Sequence, residues 1–250
     1  MKTGLAIGLF TVLVGCATDV ERPEPGPGRL DLRTAMQTSS NIHPVGLAIA
    51  PDGQRFVFDE TQGLFRIDGD LAVVVVPMSA MPDPGPIAPL QLPFTDLVAI
   101  APNVFALTAI GDGYLLDTTA MTLKQHFCYE PGWTPENLTQ RTDAITFDSA
   151  TQRLYAQPVT TDDEGVFQYS QVAAYDRSTG TDVEWHDAAN NVAATGMISI
   201  PEVGLVLGQG SRLSRFDLAT NQAILLDDLA RFGVRSIDGL AIDSAPNTLV

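Results

Sequence analysis

Gly46-Leu-Ala-Ile-Ala-Pro-Asp-Gly-Gln-Arg-Phe-Val-Phe58, continued by Gly63-Leu-Phe-Arg-Ile-Asp68, decides the fold. An apolar strand is followed by a Pro-Asp-Gly turn, a second apolar strand, and a third strand that ends on aspartate. Turn residues interrupt the apolar runs too often for a helix, and the runs have strand length. The pattern then recurs. Strands open at Gly46-Leu-Ala-Ile-Ala50, Leu97-Val-Ala-Ile-Ala101, Ala144-Ile-Thr-Phe-Asp148, Met197-Ile-Ser-Ile-Pro201 and Gly239-Leu-Ala-Ile-Asp243, in steps of about 51, 47, 53 and 42 residues. Several short strands repeated at a period of about 40–50 residues are the signature of propeller blades.

The repeat also holds inside each unit. Second strands read Arg55-Phe-Val-Phe58, Val104-Phe-Ala-Leu107, Arg153-Leu-Tyr-Ala156 and Gly204-Leu-Val-Leu207. Third strands end at Asp68, Asp117, Asp176 and Asp217, and a fourth strand follows each. A carboxylate at that point can accept backbone N–H bonds of the following turn, so these four aspartates read as turn chemistry. The expected fold is all-β: four complete four-stranded blades and a partial fifth over residues 30–250, incomplete at the C-terminal end. In that fold Leu47, Ile49, Val98, Ile100, Ile145, Phe147, Ile198 and Ile200 pack between blades. Two insertions break the rhythm, a proline-rich stretch over residues 82–93 and an acidic hairpin over 160–168.

The start of the chain has a different character. Lys2 precedes an apolar run from Gly4 to Val14, about half the length a bilayer span needs, so it reads as the core of a signal peptide. It ends Leu13-Val14-Gly15-Cys16, which resembles the lipobox of bacterial lipoproteins. The resemblance implies removal of residues 1–15, a diacylglycerol on Cys16, and a cell-envelope location. Ala17 is not the aspartate associated with inner-membrane retention, which favours the outer membrane. Residues 21–29 hold three prolines and two glycines and form an expected exposed tether, so 16–29 is a lipidated linker.

Composition narrows the partners. Lys plus Arg number 14 against 30 Asp plus Glu, a net charge of −16, and such a surface repels phosphate backbones. Nucleic acid is excluded as a partner; the membrane, through the anchor, and a protein or small-molecule ligand are retained. With Cys16 lipidated, Cys128 has no partner and reads as a packed thiol. His43, His126 and His186 lack zinc-site spacing, and no nucleophile elbow, phosphate loop or dinucleotide fingerprint occurs.

Gly46 to Phe58 with Gly63 to Asp68 resembles a blade of the NHL-type and gluconolactonase-like propellers, and Ser236-Ile-Asp-Gly-Leu-Ala-Ile-Asp243 is similar to the latter. In that family an aspartate before glycine at the head of an inner strand binds the central divalent metal, which implies that role for Asp238. The residues preceding the aligned strand starts are Val45, Asp96, Asp143, Gly196 and Asp238. Three carboxylates at one channel mouth would repel unless a cation lay between them, and calcium suits such oxygens. The other reading is turn capping. Asp96, Asp143 and Asp238 are therefore the candidate metal residues, and the sequence names no catalytic residue. Two functions stand: a lipid-anchored binding or assembly module, or a metal-dependent lactonase-like or esterase-like hydrolase.

Overall fold

The computed structural model describes residues 44–69, 71–82, 94–109, 112–128, 141–161, 167–168, 171–187, 194–237, 239–243 and 248–249. Four antiparallel meanders follow one another along the chain. The first comprises β1 (Pro44–Ile49), β2 (Arg55–Asp59), β3 (Gly63–Asp68) and β4 (Leu71–Pro77). The second comprises β5 (Asp96–Ala101), β6 (Val104–Thr108), β7 (Asp112–Asp117) and β8 (Thr122–Cys128). In the third, β9 (Arg141–Asp148), β10 (Arg153–Thr161), β12 (Gln171–Asp176) and β13 (Asp182–Asp187) pair in order, and β11 (Phe167–Gln168) extends the far end of β10. The fourth holds β14 (Gly196–Ile200), β15 (Gly204–Gln209), β16 (Arg212–Asp217) and β17 (Gln222–Asp228). Two short strands, β18 (Ile242–Asp243) and β19 (Thr248–Leu249), begin a fifth. Helix among the described residues is confined to the 3-10 turns Met78–Ala80 and Leu229–Phe232. The protein is an all-β propeller.

Blades stack face to face, and a separate apolar core fills each gap. Phe56 and Phe58 meet Phe105 and Leu107 between the first and second blades. Ile100 and Ala106 meet Ile145, Leu154 and Tyr175 in the next gap, where the Phe127 and Tyr175 rings stack 4.1 Å apart. Ala144 and Tyr155 meet Leu205, Leu207 and Phe216, and Ile198 and Val206 meet Val234, Ile237 and Leu240. A sheet buried on both faces needs apolar residues on both, which is why the strands read as runs rather than as strict alternation. Of the residues expected between blades, Val98, Ile100, Ile145, Phe147, Ile198 and Ile200 join these cores. Leu47 and Ile49 alternate with Ala48, which packs towards the second blade, and so occupy the first blade's other face.

The inner strands β1, β5, β9 and β14 run side by side and parallel, with their beginnings at one mouth of the ring, termed proximal. Gly46 of β1 lies against Leu97 of β5, and Ile145 of β9 bonds Asp96 of β5. Fourth strands run the opposite way and finish at the proximal mouth. The third-to-fourth turns lie at the distal mouth. There Asp117 accepts N–H bonds from Thr119 and Ala120, Asp176 from Ser178 and Thr179, and Asp217 from Ala219 and Thr220. The chain then passes through a left-handed residue at Met121, Gly180 or Asn221, with φ of 50°, 70° and 57°. Asp68 departs from this expectation: its tighter turn leaves the carboxylate to Arg66 of the same strand, at 2.9 and 2.7 Å.

One close approach between blades lies beside the channel. A Cβ on Gly46 would lie 2.6 Å from both the Cβ and the backbone N of Leu97, whereas one on Gly239 would meet nothing within 4 Å. Gly46→Ala should therefore destabilise the fold by about 1–3 kcal/mol through forced blade separation, and Gly239→Ala by under about 0.5 kcal/mol. Urea denaturation followed by circular dichroism measures both.

Candidate functional site

The proximal mouth holds the residues expected to gather carboxylates. Asp96 opens β5 and is 4% exposed. One of its oxygens accepts the Leu97 N–H at 2.7 Å, and the other accepts the Ile145 N–H of the next blade at 2.9 Å. A buried charge persists where hydrogen bonds satisfy it, and backbone donors do so without requiring a counter-cation. Asp96 is thus a clamp between the second and third blades.

The same kind of bond recurs around the ring. Thr146 of β9, 2% exposed, accepts the Ser199 N–H of β14 at 2.9 Å. Gln157 of β10, fully buried, accepts the Ala194 N–H at 2.5 Å. Thr195 donates its hydroxyl to the Ile237 carbonyl at 2.7 Å, joining the fourth blade to the segment that leads into the fifth. The sequence reading did not single out Thr146, Gln157 or Thr195. A polar residue inside an apolar strand was their available signal, since burying it demands a partner.

Register separates Asp96 from Asp143. Val104 pairs with Asp117 and Arg153 with Asp176, which aligns the second and third blades on their turn aspartates. Four residues along each second strand, Thr108 pairs with Asp96 and Gln157 with Ala144. Asp96 therefore corresponds to Ala144, not to Asp143, and the expected shared register of Asp96 and Asp143 shifts by one residue. Between Gln157 and Pro158 the ladder slips, and Asp143 is the extra residue of that bulge. Proline inside a strand marks such a slip because it cannot donate to the ladder. The side chain of Asp143, and Asp238 altogether, lie outside the described residues. So do Cys16, the tether over 21–29, the loop over 83–93, the hairpin tip over 162–166 and the Cys128 side chain. Among the described residues no three His, Cys, Asp or Glu side chains come together as a metal site would require.

Other titratable groups have local tasks. The Ser178 hydroxyl, then the Thr179 and Ser178 N–H groups, hold the Asp176 carboxyl at about 2. A carboxyl held below its unfolded value stabilises the fold above about pH 4, and that contribution disappears as pH falls towards 2. Burial pushes His126 below the ordinary imidazole value, against the opposing pull of hydrogen bonds to the backbone at Arg177 and Asp176. His186 is buried with its Nε2 3.7 Å from Glu184, beyond hydrogen-bond reach, while Glu184 accepts from Arg153 at 2.9 Å.

No family model matches the chain, and no curated protein matches it by sequence. Among solved structures it is similar to a gluconolactonase from Xanthomonas campestris at 13% identity and a TM-score of 0.51, over 81% of this chain and 66% of that one. It is also similar to the WD40 repeats of RRP9 at 13% identity and a TM-score of 0.46, over 81% and 57%. The chain thus spans less than two thirds of the length of either. At such identity the gluconolactonase likeness establishes the propeller fold and nothing of activity.

Asp96→Ala leaves the Leu97 and Ile145 N–H groups buried without this acceptor and should cost about 2–3 kcal/mol. Asp96→Asn, which keeps one acceptor oxygen, should cost less. Thermal unfolding of the three proteins ranks them, and an unchanged melting temperature in Asp96→Ala would remove the clamp from the account.

Proposed function

We propose that the protein is a lipid-anchored, extracytoplasmic β-propeller serving as a binding or assembly module at the bacterial cell envelope, on the outer membrane. The observation that carries this reading is the order of parts in one chain. An apolar leader ending Leu13-Val14-Gly15-Cys16 comes first, then a Pro/Gly stretch over 21–29, then stacked blades. The tether would hold the propeller near the lipid and leave its loops to meet a protein or small-molecule ligand. A rigid scaffold that presents loops is a common basis for binding. The clamps made by Asp96, Thr146 and Gln157 supply that rigidity. A net charge of −16 argues against nucleic acid as the ligand. Cys16→Ser should abolish metabolic labelling with palmitate and move the protein from the membrane fraction to the soluble one. Unchanged labelling and fractionation would overturn the anchor.

A second reading, a cation-dependent lactonase-like or esterase-like hydrolase, is favoured by one feature of the chain. Asp143 and Asp238 immediately precede Ala144 and Gly239, and Gly239 heads the fifth repeat as Gly46 heads the first. The carboxylates of Asp143 and Asp238 would hold calcium, which when bound supplies polarisation of an ester or lactone carbonyl. Asp96, with an oxygen on each of two backbone N–H groups, would contribute through the frame. Calcium should then raise the melting temperature, because a ligand held only by the folded form stabilises it. Asp238→Ala should erase that shift and Asp96→Asn should retain it. A melting curve indifferent to calcium removes this reading and leaves the first untouched.

A further inference from the structure

Among the described residues, the outer rim of the fourth blade leaves apolar side chains exposed. Ile224, Leu225 and Leu226 of β17 are 43%, 57% and 50% exposed, and Phe232, in the 3-10 turn that follows, is 70% exposed. That turn is firmly built. The Asp228 carboxylate accepts the Ala230 N–H at 3.0 Å and the Ser211 hydroxyl at 2.8 Å, and Leu229 is buried beneath it. Arg231 pairs with Asp227 at 2.6 and 2.8 Å, and its guanidinium lies 4.7 Å from the centre of the Phe232 ring. The ring is thus held outward by a capped turn and flanked by a cation.

The position of this turn identifies what would cover it. Fourth strands end where first strands begin, so Phe232 stands at the proximal mouth, and the Thr195–Ile237 bond ties the segment after it to the start of β14. Pro44, where the described chain enters β1, lies at that same mouth. Only 27 residues separate Cys16 from Pro44. A chain of that length reaches at most about 100 Å and on average far less, so the bilayer lies within reach of the mouth at which the chain enters. Charge fits the same surface. Within the apolar rim the Arg231–Asp227 pair is neutral, in a chain whose net charge is −16, so the rim lacks the repulsion that an acidic face would bring. An exposed aromatic beside arginine is the chemistry of the membrane–water interface.

We propose that Phe232 and the adjoining Leu225–Leu226 rim dock on the lipid surface to which the tether leads, and so orient the propeller with its distal mouth outward. This orientation rests on the lipid-anchor reading. The test uses the mature lipidated chain floated with vesicles of phosphatidylethanolamine and phosphatidylglycerol, with and without brominated acyl chains. Phe232→Trp adds an indole at the proximal mouth. Leu71→Trp adds one at the distal mouth, at a site 67% exposed where β4 begins. After subtraction of the two native tryptophans, bromolipid should roughly halve the emission added at position 232, because interfacial residues lie within about 10 Å of the acyl boundary. It should leave the emission added at position 71 unchanged. Flotation with equal or no quenching at both positions overturns the docking and keeps the anchor. Emission at position 232 that depends on protein concentration and not on bromine assigns the rim to a second copy and also overturns it. Failure to float removes the anchor reading, and the orientation with it.

Discussion

Everything else in the ring depends on how closely the inner strands approach one another beside the channel. Stacked sheets ordinarily stand about 10 Å apart, a distance set by the side chains between them. Blades arranged around an axis cannot keep that spacing, because they converge inward. The residue that faces the next blade at the innermost point must then be almost nothing, or must bond directly to the neighbouring backbone. Gly46 takes the first course against Leu97, and Gly196 does so against Gly239, where a Cβ would lie 3.1 Å from the facing Cα. Asp96 takes the second: its carboxylate spans the gap to the Ile145 N–H. Further out aromatic side chains fill the gaps, although the turn at Gly180 again meets a neighbouring backbone, at His126. Phe56 meets Phe105 edge to face at 4.7 Å, and Phe127 stacks on Tyr175.

This wedge shape explains what was legible in the sequence. Each blade repeats because each occupies an equivalent gap, so the apolar strands and the third-strand aspartates recur at blade spacing. The turn positions were readable because their chemistry is local. An aspartate and a left-handed residue four places on meet within a single turn, as at Asp176 and Gly180, and need no tertiary context. Asp68 departs from the set for an equally local reason, a tighter turn with Arg66 on its own strand within reach.

Inner-strand register was less legible, and the physical cause is burial on both faces. Register is strongly specified where one face is apolar and the other polar, because a one-residue slip would expose the core. Leu97-Val-Ala-Ile and Ala144-Ile-Thr-Phe satisfy a doubly buried strand in either of two alignments, so pattern matching placed Asp96 beside Asp143. Pairing with the second strands resolves the choice: Thr108 opposes Asp96 and Gln157 opposes Ala144. The offset arises at Ile100, the extra residue of a bulge between the Ala99–Phe105 and Ala101–Val104 pairs, for which an unbroken apolar run gives no local sign.

At the proximal mouth one residue of register therefore changes what a polar side chain can reach. A carboxylate that faces the next blade at the innermost point meets backbone N–H groups across a gap only a few ångströms wide, and its charge is consumed in joining two sheets. One residue earlier, the chain is still arriving at the strand, and Thr95 and Thr195 occupy that place in the second and fourth blades. There the hydroxyls bond Thr108 of the same blade at 2.9 Å and, across to the segment that leads into the fifth, the Ile237 carbonyl at 2.7 Å. In the sequence Asp143 precedes Ala144, the residue that corresponds to Asp96. A substitution at Asp96 therefore acts on the joint between two sheets, and a residue that an alignment places beside it, one position out of register, does not inherit that bond.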